Sequence, residues 1–330
     1  MQLLNVLIRN EHDGVLVPIP QYPLYSATIA LLGGCLVPYY LNEESNWSLD
    51  VKDLRKQVIA ARDKGINVRG LVFINPGNPT GQCLSTTNLQ QLIDFCFAEN
   101  LVLFADEVYQ QNIYQDDRPF VSAKKVLKDL GSPYSESVEL VSFHTVSKGF
   151  LGECGQRGGY FELTNIHPQV VEELYKVASI SLSPNVTGQI MMGLMVSPPK
   201  PGDISYNEYI AESKAVMESL RRRAHIMTDG FNSCENVICN FTEGGHVFIS
   251  TNKTTSWSSI CCQKCWKGTR CVLLSQAAGG HWNFNSSRLR IWSERGDFSS
   301  QNYNFTSGEG YARSHGQVPE IQYNIYGRIQ

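Results

Sequence analysis

Residues 70–107 read GLVFINPGNPTGQCLSTTNLQQLIDFCFAENLVLFADE, and this stretch decides the fold class. It begins and nearly ends with continuous apolar runs, Gly70–Ile74 and Leu101–Ala105, which predict strands buried on both faces. Residues Asn88–Asn100 between them predict an amphipathic helix, because apolar residues recur at i, i+3, i+4, i+7 and i+8: Leu89, Leu92, Ile93, Cys96 and Phe97. The strand–helix–strand order predicts a right-handed crossover within a mainly parallel α/β sheet flanked by helices.

The remaining chain divides into three predicted parts. A third strand at Val138–Phe143 extends the α/β pattern, and we assign residues 1–200 to one large domain. The capping-box pattern Ser205-Tyr206-Asn207-Glu208 predicts the start of a long helix, which with a following strand begins a smaller domain at 204–245. Residues 246–330 hold four of the five tryptophans and carry a net charge of +5, against −8 for the rest. This break in composition marks a boundary, and we expect the tail to be poorly ordered.

Composition excludes several classes of protein. With 42% hydrophobic and 18% charged residues, a folded chain is expected and a disordered one is not. A net charge of −3 gives no support for a nucleic-acid partner or for an anionic membrane surface. The longest mainly apolar stretch, Ala27–Tyr40, is interrupted by glycine and proline and is too short to span a bilayer. No signal peptide is visible, and ten irregularly spaced cysteines indicate reduced thiols in an intracellular protein.

Chemically capable side chains follow each predicted strand. In open α/β sheets, ligands bind outside the carboxyl ends of the strands, so these side chains should converge on one crevice. They are an amide, a carboxylate, a phenol, an amine and a guanidinium: Asn78, Asp106, Tyr109, Lys148 and Arg157. Each also has an ordinary structural interpretation, as a turn residue, a helix cap or a surface charge. Their shared position favours the functional one.

This set of groups suits pyridoxal phosphate. A lysine forms a Schiff base with the cofactor, and a carboxylate facing the pyridine nitrogen keeps that nitrogen protonated. An amide and a phenol are donors for the ring hydroxyl oxygen, while a hydroxyl and an arginine bind phosphate.

Six ordered motifs resemble the class I/II pyridoxal-phosphate aminotransferases, and within them the alanine aminotransferase group. They are PQYPLYSA (20–27), NPGNPTGQ (75–82), DEVYQQNIY (106–114), SFHTVSKG (142–149), GECGQRGGY (152–160) and SPPKPGD (197–203). The variants QQNIYQDDRPF, SFHTVSKG and SLRRRAHIMTDGFNSC are most similar to plant glutamate–glyoxylate aminotransferases. The resemblance implies the pyridoxal-phosphate-dependent transferase fold type I. It also implies a ping-pong reaction in which alanine or glutamate donates its amino group to glyoxylate, pyruvate or 2-oxoglutarate.

The resemblance also assigns roles to individual residues. Lys148 would be the Schiff-base lysine and the base that moves the substrate proton, and Asp106 would pair with the pyridine nitrogen. Tyr22 would stack on the cofactor ring. The ring hydroxyl oxygen would be bound by Tyr109 and Asn78, and the phosphate by Thr145, Ser147 and Arg157. The partners would be small amino acids and oxo acids, the assembly a homodimer, and the Asn78–Pro79 peptide cis.

Both ends of the chain depart from the family pattern. A substantial N-terminal block of the family is not represented before Leu7-Ile8-Arg9, and the small domain is expected to be incomplete. We expect the resemblance to stop after Thr242-Glu243-Gly244. Read one base out of frame, the codons for Gly245–Thr255 and Phe298–Thr306 permit the family's continuation, so the tail is interpreted as a frameshift product. The pattern Cys262-x-x-Cys265 in it is too irregular to predict a zinc site, and no metal is expected.

Two alternatives to an active aminotransferase remain open at this stage. One is a related pyridoxal-phosphate lyase catalysing decarboxylation or elimination, and the other is a weak or inactive truncated product. Intact relatives of the glyoxylate type are peroxisomal by resemblance. This chain ends in Gly327-Arg328-Ile329-Gln330, which is not a peroxisomal signal of the S-K-L kind, so a cytoplasmic location is expected for it.

Overall fold

The computed structural model describes residues 1–235 and 237–245 with their side chains, and beyond them the backbone of four short strands. The larger sheet has six strands: β1 (Asp13–Ile19), β2 (Cys35–Tyr40), β3 (Asn67–Ile74), β4 (Val102–Asp106), β5 (Leu140–Thr145) and β6 (Gly159–Thr164). Their order is β2-β1-β3-β4-β5-β6, in which only β6 pairs antiparallel with its neighbour. The predicted mainly parallel sheet is confirmed.

Helices connect the parallel strands and cover both faces of this sheet. They are α1 (Gln2–Leu7), α2 (Leu24–Leu31), α3 (Val51–Asp63), α4 (Thr86–Glu99), α5 (Ala123–Asp129) and α6 (Tyr134–Ser137). The predicted helix corresponds to α4, which begins where the Ser85 side chain accepts a hydrogen bond from the Asn88 N–H. It ends at Asn100, whose left-handed φ of 54° stops the helix.

The strands are apolar on both faces because both faces are covered. In β3, Leu71 and Phe73 pack in a cluster with α3 and α4, whereas Val72 and Ile74 pack in a second cluster with α1 and α2. This alternation explains the continuous apolar run that predicted the strand. A sheet whose central strands are buried therefore supports the residues that follow those strands.

Three further helices extend along the chain: α7 (Pro168–Ser179), α8 (Val186–Val196) and α9 (Tyr206–Asn232). Helix α9 starts where predicted, but the capping box is wrong. Ser205 makes no side-chain cap hydrogen bond, because its φ of −86° and ψ of −2° lie in the helical region instead of the extended region that an N-cap uses. A turn formed by Lys200–Asp203 precedes the helix instead, and the Tyr206 N–H donates to the Asp203 carbonyl.

A second sheet has the order β11-β10-β9-β8-β7. It comprises β7 (Val237–Ile238), β8 (Phe248–Asn252), β9 (Cys271–Ser275), β10 (Arg290–Trp292) and β11 (Phe298–Ser299). The β-prone sequence of residues 246–250 predicts a strand just after Gly245, and β8 corresponds to it. The predicted poor order of the tail and its Cys262–Cys265 pattern lie outside the residues that the structure describes. Within those residues, no helix is both long enough and apolar enough to cross a membrane.

Candidate active site

Lys148 lies between two aromatic rings at the carboxyl edge of the six-stranded sheet. Its Nζ is 5.7 Å from the centroid of the Tyr22 ring and 5.9 Å from that of Tyr109. The three residues come from different connections, after β1, β4 and β5 respectively. Convergence from separate strand ends is the arrangement expected for a ligand site in an open parallel sheet.

Asn78 and Tyr109 are neighbours across the connections that follow β3 and β4. The Asn78 side-chain amide donates a hydrogen bond of 3.4 Å to the Tyr109 hydroxyl. The Tyr109 side chain is 2% exposed, and burial, with a contribution from the charge of Asp106, raises its pKa far above the usual value. The phenol is therefore neutral and retains a proton to donate. As expected, the Asn78–Pro79 peptide is cis.

Asp106, the last residue of β4, has one partnered and one unpartnered oxygen. Its Oδ2 accepts a hydrogen bond of 2.7 Å from the Tyr25 hydroxyl, whereas its shielded Oδ1 has no hydrogen-bond partner among the described residues. Burial raises the pKa of this carboxyl, and the Tyr25 hydroxyl, the Val108 N–H and the charge of Lys148 oppose that shift. A buried carboxylate with a free oxygen is suited to accept a hydrogen bond from a protonated ring nitrogen.

The connection between β5 and β6, residues 146–158, brings Thr145, Ser147 and Arg157 together. Thr145 Oγ1 donates a hydrogen bond of 2.7 Å to the Gly158 carbonyl and accepts one of 3.2 Å from the Ser147 N–H. Arg157 is exposed, and its guanidinium donates to the Cys154 carbonyl of its own turn at 3.0 Å. Thr145 and Ser147 are thus held to each other, while the Arg157 guanidinium contacts the backbone of its own turn.

Helix α8 supports this connection by direct backbone contact. A Cβ atom at Gly188 would lie 2.7 Å from the Gln156 carbonyl oxygen and 2.8 Å from that of Arg157, so only glycine fits. Arg157 itself has a φ of 56°, in the left-handed region that a side chain such as arginine rarely adopts. Backbone strain of this kind is concentrated at functional sites.

Sequence reasoning missed two groups that surround the site. Tyr25 was not selected, although it lies only three residues after Tyr22 and its side chain is buried against Asp106. Glu107 is 4% exposed, accepts a hydrogen bond of 2.7 Å from the Ala123 N–H, and has its pKa raised to about 7 by burial. The available signal for Glu107 was its place directly after Asp106 at a strand end.

The assembled groups fit pyridoxal phosphate. Lys148 supplies the amine, the free Oδ1 of Asp106 an acceptor, and Tyr22 an aromatic face for a pyridine ring. A separate small pocket adjoins Asn78, but it is lined mainly by apolar residues such as Pro18, Leu49 and Phe73 and does not include Lys148. Among the described residues, no group of three or more His, Cys, Asp or Glu side chains is arranged to bind a metal ion.

Comparison with known proteins agrees with this chemistry. The sequence model of the family described as aminotransferase class I and II matches residues 1–268. The chain belongs to this family. The family model extends to residue 268, past the expected end of the resemblance at Gly244, whereas the alignment with glutamate–glyoxylate relatives covers 244 residues of this chain, and the end of the resemblance stays a prediction. Strand β8 lies within the matched range, and the out-of-frame origin of the later residues stays a prediction.

Individual relatives carry aminotransferase names. The chain is 70% identical over 244 residues to glutamate–glyoxylate aminotransferase 1 of Arabidopsis thaliana, covering 74% of this chain and 51% of that protein. It is 55% identical over 243 residues to alanine aminotransferase 2 of Panicum miliaceum, covering 73% and 50%. An alanine aminotransferase structure from Pyrococcus furiosus has the same fold, with a TM-score of 0.65 at 22% identity, covering 78% of this chain and 59% of that one. The chain spans about half the length of the curated relatives it matches.

Proposed function

We propose that this class I/II aminotransferase uses pyridoxal phosphate to move the amino group of alanine or glutamate to glyoxylate, pyruvate or 2-oxoglutarate. The observation that carries the proposal is the position of Lys148, between two aromatic rings and beside a carboxylate with a free oxygen. The names of the relatives support the substrate class. The cofactor, when bound, supplies a carbonyl for the amine and an electron-withdrawing ring.

Asp106 would pair with the pyridine nitrogen of the bound cofactor. Its Oδ2 is fixed by the Tyr25 hydroxyl, so Oδ1 is directed without a further change of rotamer. In a buried site such a fixed charge interacts more strongly than it would in water. Asp106 therefore favours the protonated pyridine nitrogen.

Asn78 and Tyr109 form a pair of donors for the ring hydroxyl oxygen. Their mutual hydrogen bond of 3.4 Å is long, and a ligand oxygen between them would accept from both. Tyr109 keeps its proton at neutral pH because burial raises its pKa. The pair therefore stabilises negative charge on that oxygen.

Lys148 carries the proton of the reaction. Its amine would hold the cofactor covalently and, when free, would accept a proton from the substrate Cα. The faces of Tyr22 and Tyr109 confine the Lys148 side chain from two sides. Tyr22 is 48% exposed, so the crevice is open to incoming substrate on that side.

Thr145, Ser147 and Arg157 would bind the cofactor phosphate. Thr145 and Ser147 are already fixed to each other through the Ser147 N–H, and Thr145 is fixed to Gly158 beside Arg157. The Arg157 guanidinium is exposed and would exchange the Cys154 carbonyl for a phosphate oxygen, which gives a stronger, charge-assisted hydrogen bond. A homodimeric assembly and a peroxisomal location of intact relatives complete the proposal by resemblance.

The proposal predicts that Lys148→Ala abolishes transamination. Wild-type chain incubated with pyridoxal phosphate is expected to gain a visible absorbance band and to convert alanine plus glyoxylate into pyruvate plus glycine. Lys148→Ala removes the amine that both events require, whereas Lys176→Ala, on the exposed face of α7, changes neither. A wild-type chain without the band, or an active Lys148→Ala variant, contradicts the proposed function.

A further inference from the structure

Glu243 is a buried carboxylate outside the site described above. Its side chain is 5% exposed and accepts hydrogen bonds from three separate parts of the chain. Asn46 Nδ2 donates to Oε1 at 2.9 Å, the Cys83 N–H donates to Oε2 at 2.8 Å, and the Arg118 guanidinium pairs with Oε1. These donors compensate the cost of burying the Glu243 carboxylate, and each donor would lose a hydrogen-bond acceptor if the carboxylate were removed.

The backbone around Glu243 joins the same parts of the chain. The Glu243 carbonyl accepts from the Tyr114 N–H at 2.8 Å, and the Gly244 N–H donates to the Gly81 carbonyl at 2.9 Å. The Gly245 N–H donates to the Asn112 carbonyl at 3.1 Å. Residues 243–245 therefore lie between the connection after β3, residues 75–85, and the connection after β4, residues 107–122.

Hydrogen bonds within each connection link the anchored residues to Asn78 and Tyr109, the two proposed donors for the ring hydroxyl oxygen. In the connection after β3, the Gly77 N–H donates to the Gln82 carbonyl and the Gly81 N–H to the Gly77 carbonyl, both at 2.9 Å, which closes the turn that contains Asn78. In the connection after β4, the Asn112 N–H donates to the Tyr109 carbonyl at 2.8 Å. The Gly81 and Asn112 anchors are thus one tight turn away from Asn78 and Tyr109 respectively.

We propose that Glu243 is a positioning residue that sets the separation of Asn78 and Tyr109. This inference rests on the proposed pyridoxal-phosphate function of the same site. A carboxylate is required because all three partners are donors, and it is the only ionised acceptor that presents two equivalent oxygens to them. Glutamine would place an NH₂ group against either the Cys83 N–H or the Arg118 and Asn46 donors, so one attachment would be lost.

The donor pair also sets how tightly a proton is held at the linkage between Lys148 and the cofactor. Donors on the ring oxygen stabilise its negative charge and weaken its attraction for the nearby proton. If Asn78 and Tyr109 move apart, that attraction increases. The pH midpoint of the cofactor's absorbance should then rise, and a general loss of stability would not produce this shift.

The test compares three single variants of the full chain loaded with pyridoxal phosphate. Glu243→Gln removes the charge, and Arg118→Met removes one donor from a half-exposed side chain in case the first variant does not fold. Asp116→Asn is the matched control, because it breaks the exposed Asp116–Arg221 pair only two residues from Arg118. The measurements are the pyridoxal-phosphate Kd, the pH midpoint of the absorbance band, and the thermal midpoint of the cofactor-free chain.

We expect Glu243→Gln to raise the Kd about tenfold and to move the pH midpoint upward, with a smaller change in the same direction for Arg118→Met and none for Asp116→Asn. The inference is overturned if Glu243→Gln or Arg118→Met lowers only the thermal midpoint and leaves the absorbance midpoint at the wild-type value. Wild-type chain that does not bind the cofactor through Lys148 would instead overturn the proposed function, and this inference with it.

Discussion

Replacing Tyr25 by phenylalanine tests the electrostatics of Asp106 directly. The change removes the hydroxyl that donates to Asp106 Oδ2 at 2.7 Å and leaves the aromatic ring in its buried place. Because Oδ1 already has no partner among the described residues, the carboxylate would keep no side-chain donor there. A hydrogen bond to a charged group contributes about 1.5–3 kcal/mol, so Tyr25→Phe is expected to destabilise the cofactor-free chain by that amount at pH 7.

The pH dependence of this loss follows from the pKa of Asp106. Burial raises that pKa and the Tyr25 hydroxyl opposes the rise, so the variant has a still higher pKa. With a raised folded pKa, the carboxyl's contribution to stability is complete below the unfolded pKa of about 3.9 and is lost as the pH rises through the folded pKa. The difference between variant and wild type should therefore shrink as the pH is lowered from 7 toward 4, as measured by urea unfolding.

Tyr39→Phe is the matched control for the cofactor effect. The Tyr39 hydroxyl is also buried, but it donates to the Val72 backbone carbonyl at 2.9 Å and to none of the site residues. Its loss should cost about 0.5–1.5 kcal/mol of stability and leave the pyridoxal-phosphate Kd unchanged. Tyr25→Phe should raise that Kd about tenfold, equivalent to about 1.4 kcal/mol. Equal Kd values for both variants and wild type would show that Tyr25 does not act on the cofactor through Asp106.

Two further changes test the surroundings of the site. Glu107→Gln should reduce the pH dependence of unfolding, because the pKa of Glu107 is raised to about 7. The stabilising contribution of Glu107 is complete below about pH 4.3 and is lost as the pH rises through 7, a difference on the order of 3 kcal/mol. Urea unfolding at pH 5 and pH 8.5 measures this difference, and a variant with the same difference as wild type contradicts the assignment. Gly188→Ala should destabilise the chain by about 1–3 kcal/mol and weaken cofactor binding, since the new methyl group meets the Gln156 and Arg157 carbonyls. Gly193→Ala on the same helix has open space around the new methyl group and should be tolerated. Thermal unfolding and the pyridoxal-phosphate Kd distinguish the two variants, and equal behaviour of both refutes the close approach at Gly188.

The fold and the reactive groups were predictable for one reason: both depend on short-range sequence patterns. Continuous apolar runs predicted β3 and β4, and the segment Val138–Phe143 predicted β5. The carboxyl ends of these strands predicted that Asn78, Asp106 and Lys148 share one crevice. No long-range information was needed, because parallel strands joined by helices place all their carboxyl ends at one edge.

The supporting interactions could not be predicted in the same way. Tyr25 and Asp106 are separated by 81 residues, and Glu243 and Cys83 by 160, so their pairing is decided only when the sheet and the following segments have assembled. At Ser205 a local pattern gave a wrong prediction. The capping sequence is present, but the preceding turn at Asp203 gives the serine a helical backbone. Local patterns located the reactive groups, whereas tertiary packing selected the residues that orient them.

The direction of β6 determines the length of chain available to the lysine and to the phosphate site. Because β6 is antiparallel to β5, the chain re-enters the sheet at the edge it has just left, and Thr145 pairs with Gly159 in the last position of the ladder. Residues 146–158 thus form a loop that begins two residues before Lys148 and ends one residue after Arg157. The pairing of β5 with β6 therefore fixes both ends of this loop and the number of residues in it. A slip of one residue of β6 along β5 would turn the side chains of β6 to the opposite face of the sheet and change the span between the amine and the proposed anion-binding end of the site. The distance between the Lys148 amine and the anion-binding end therefore depends more on the pairing of β5 with β6 than on the sequence of the loop between them.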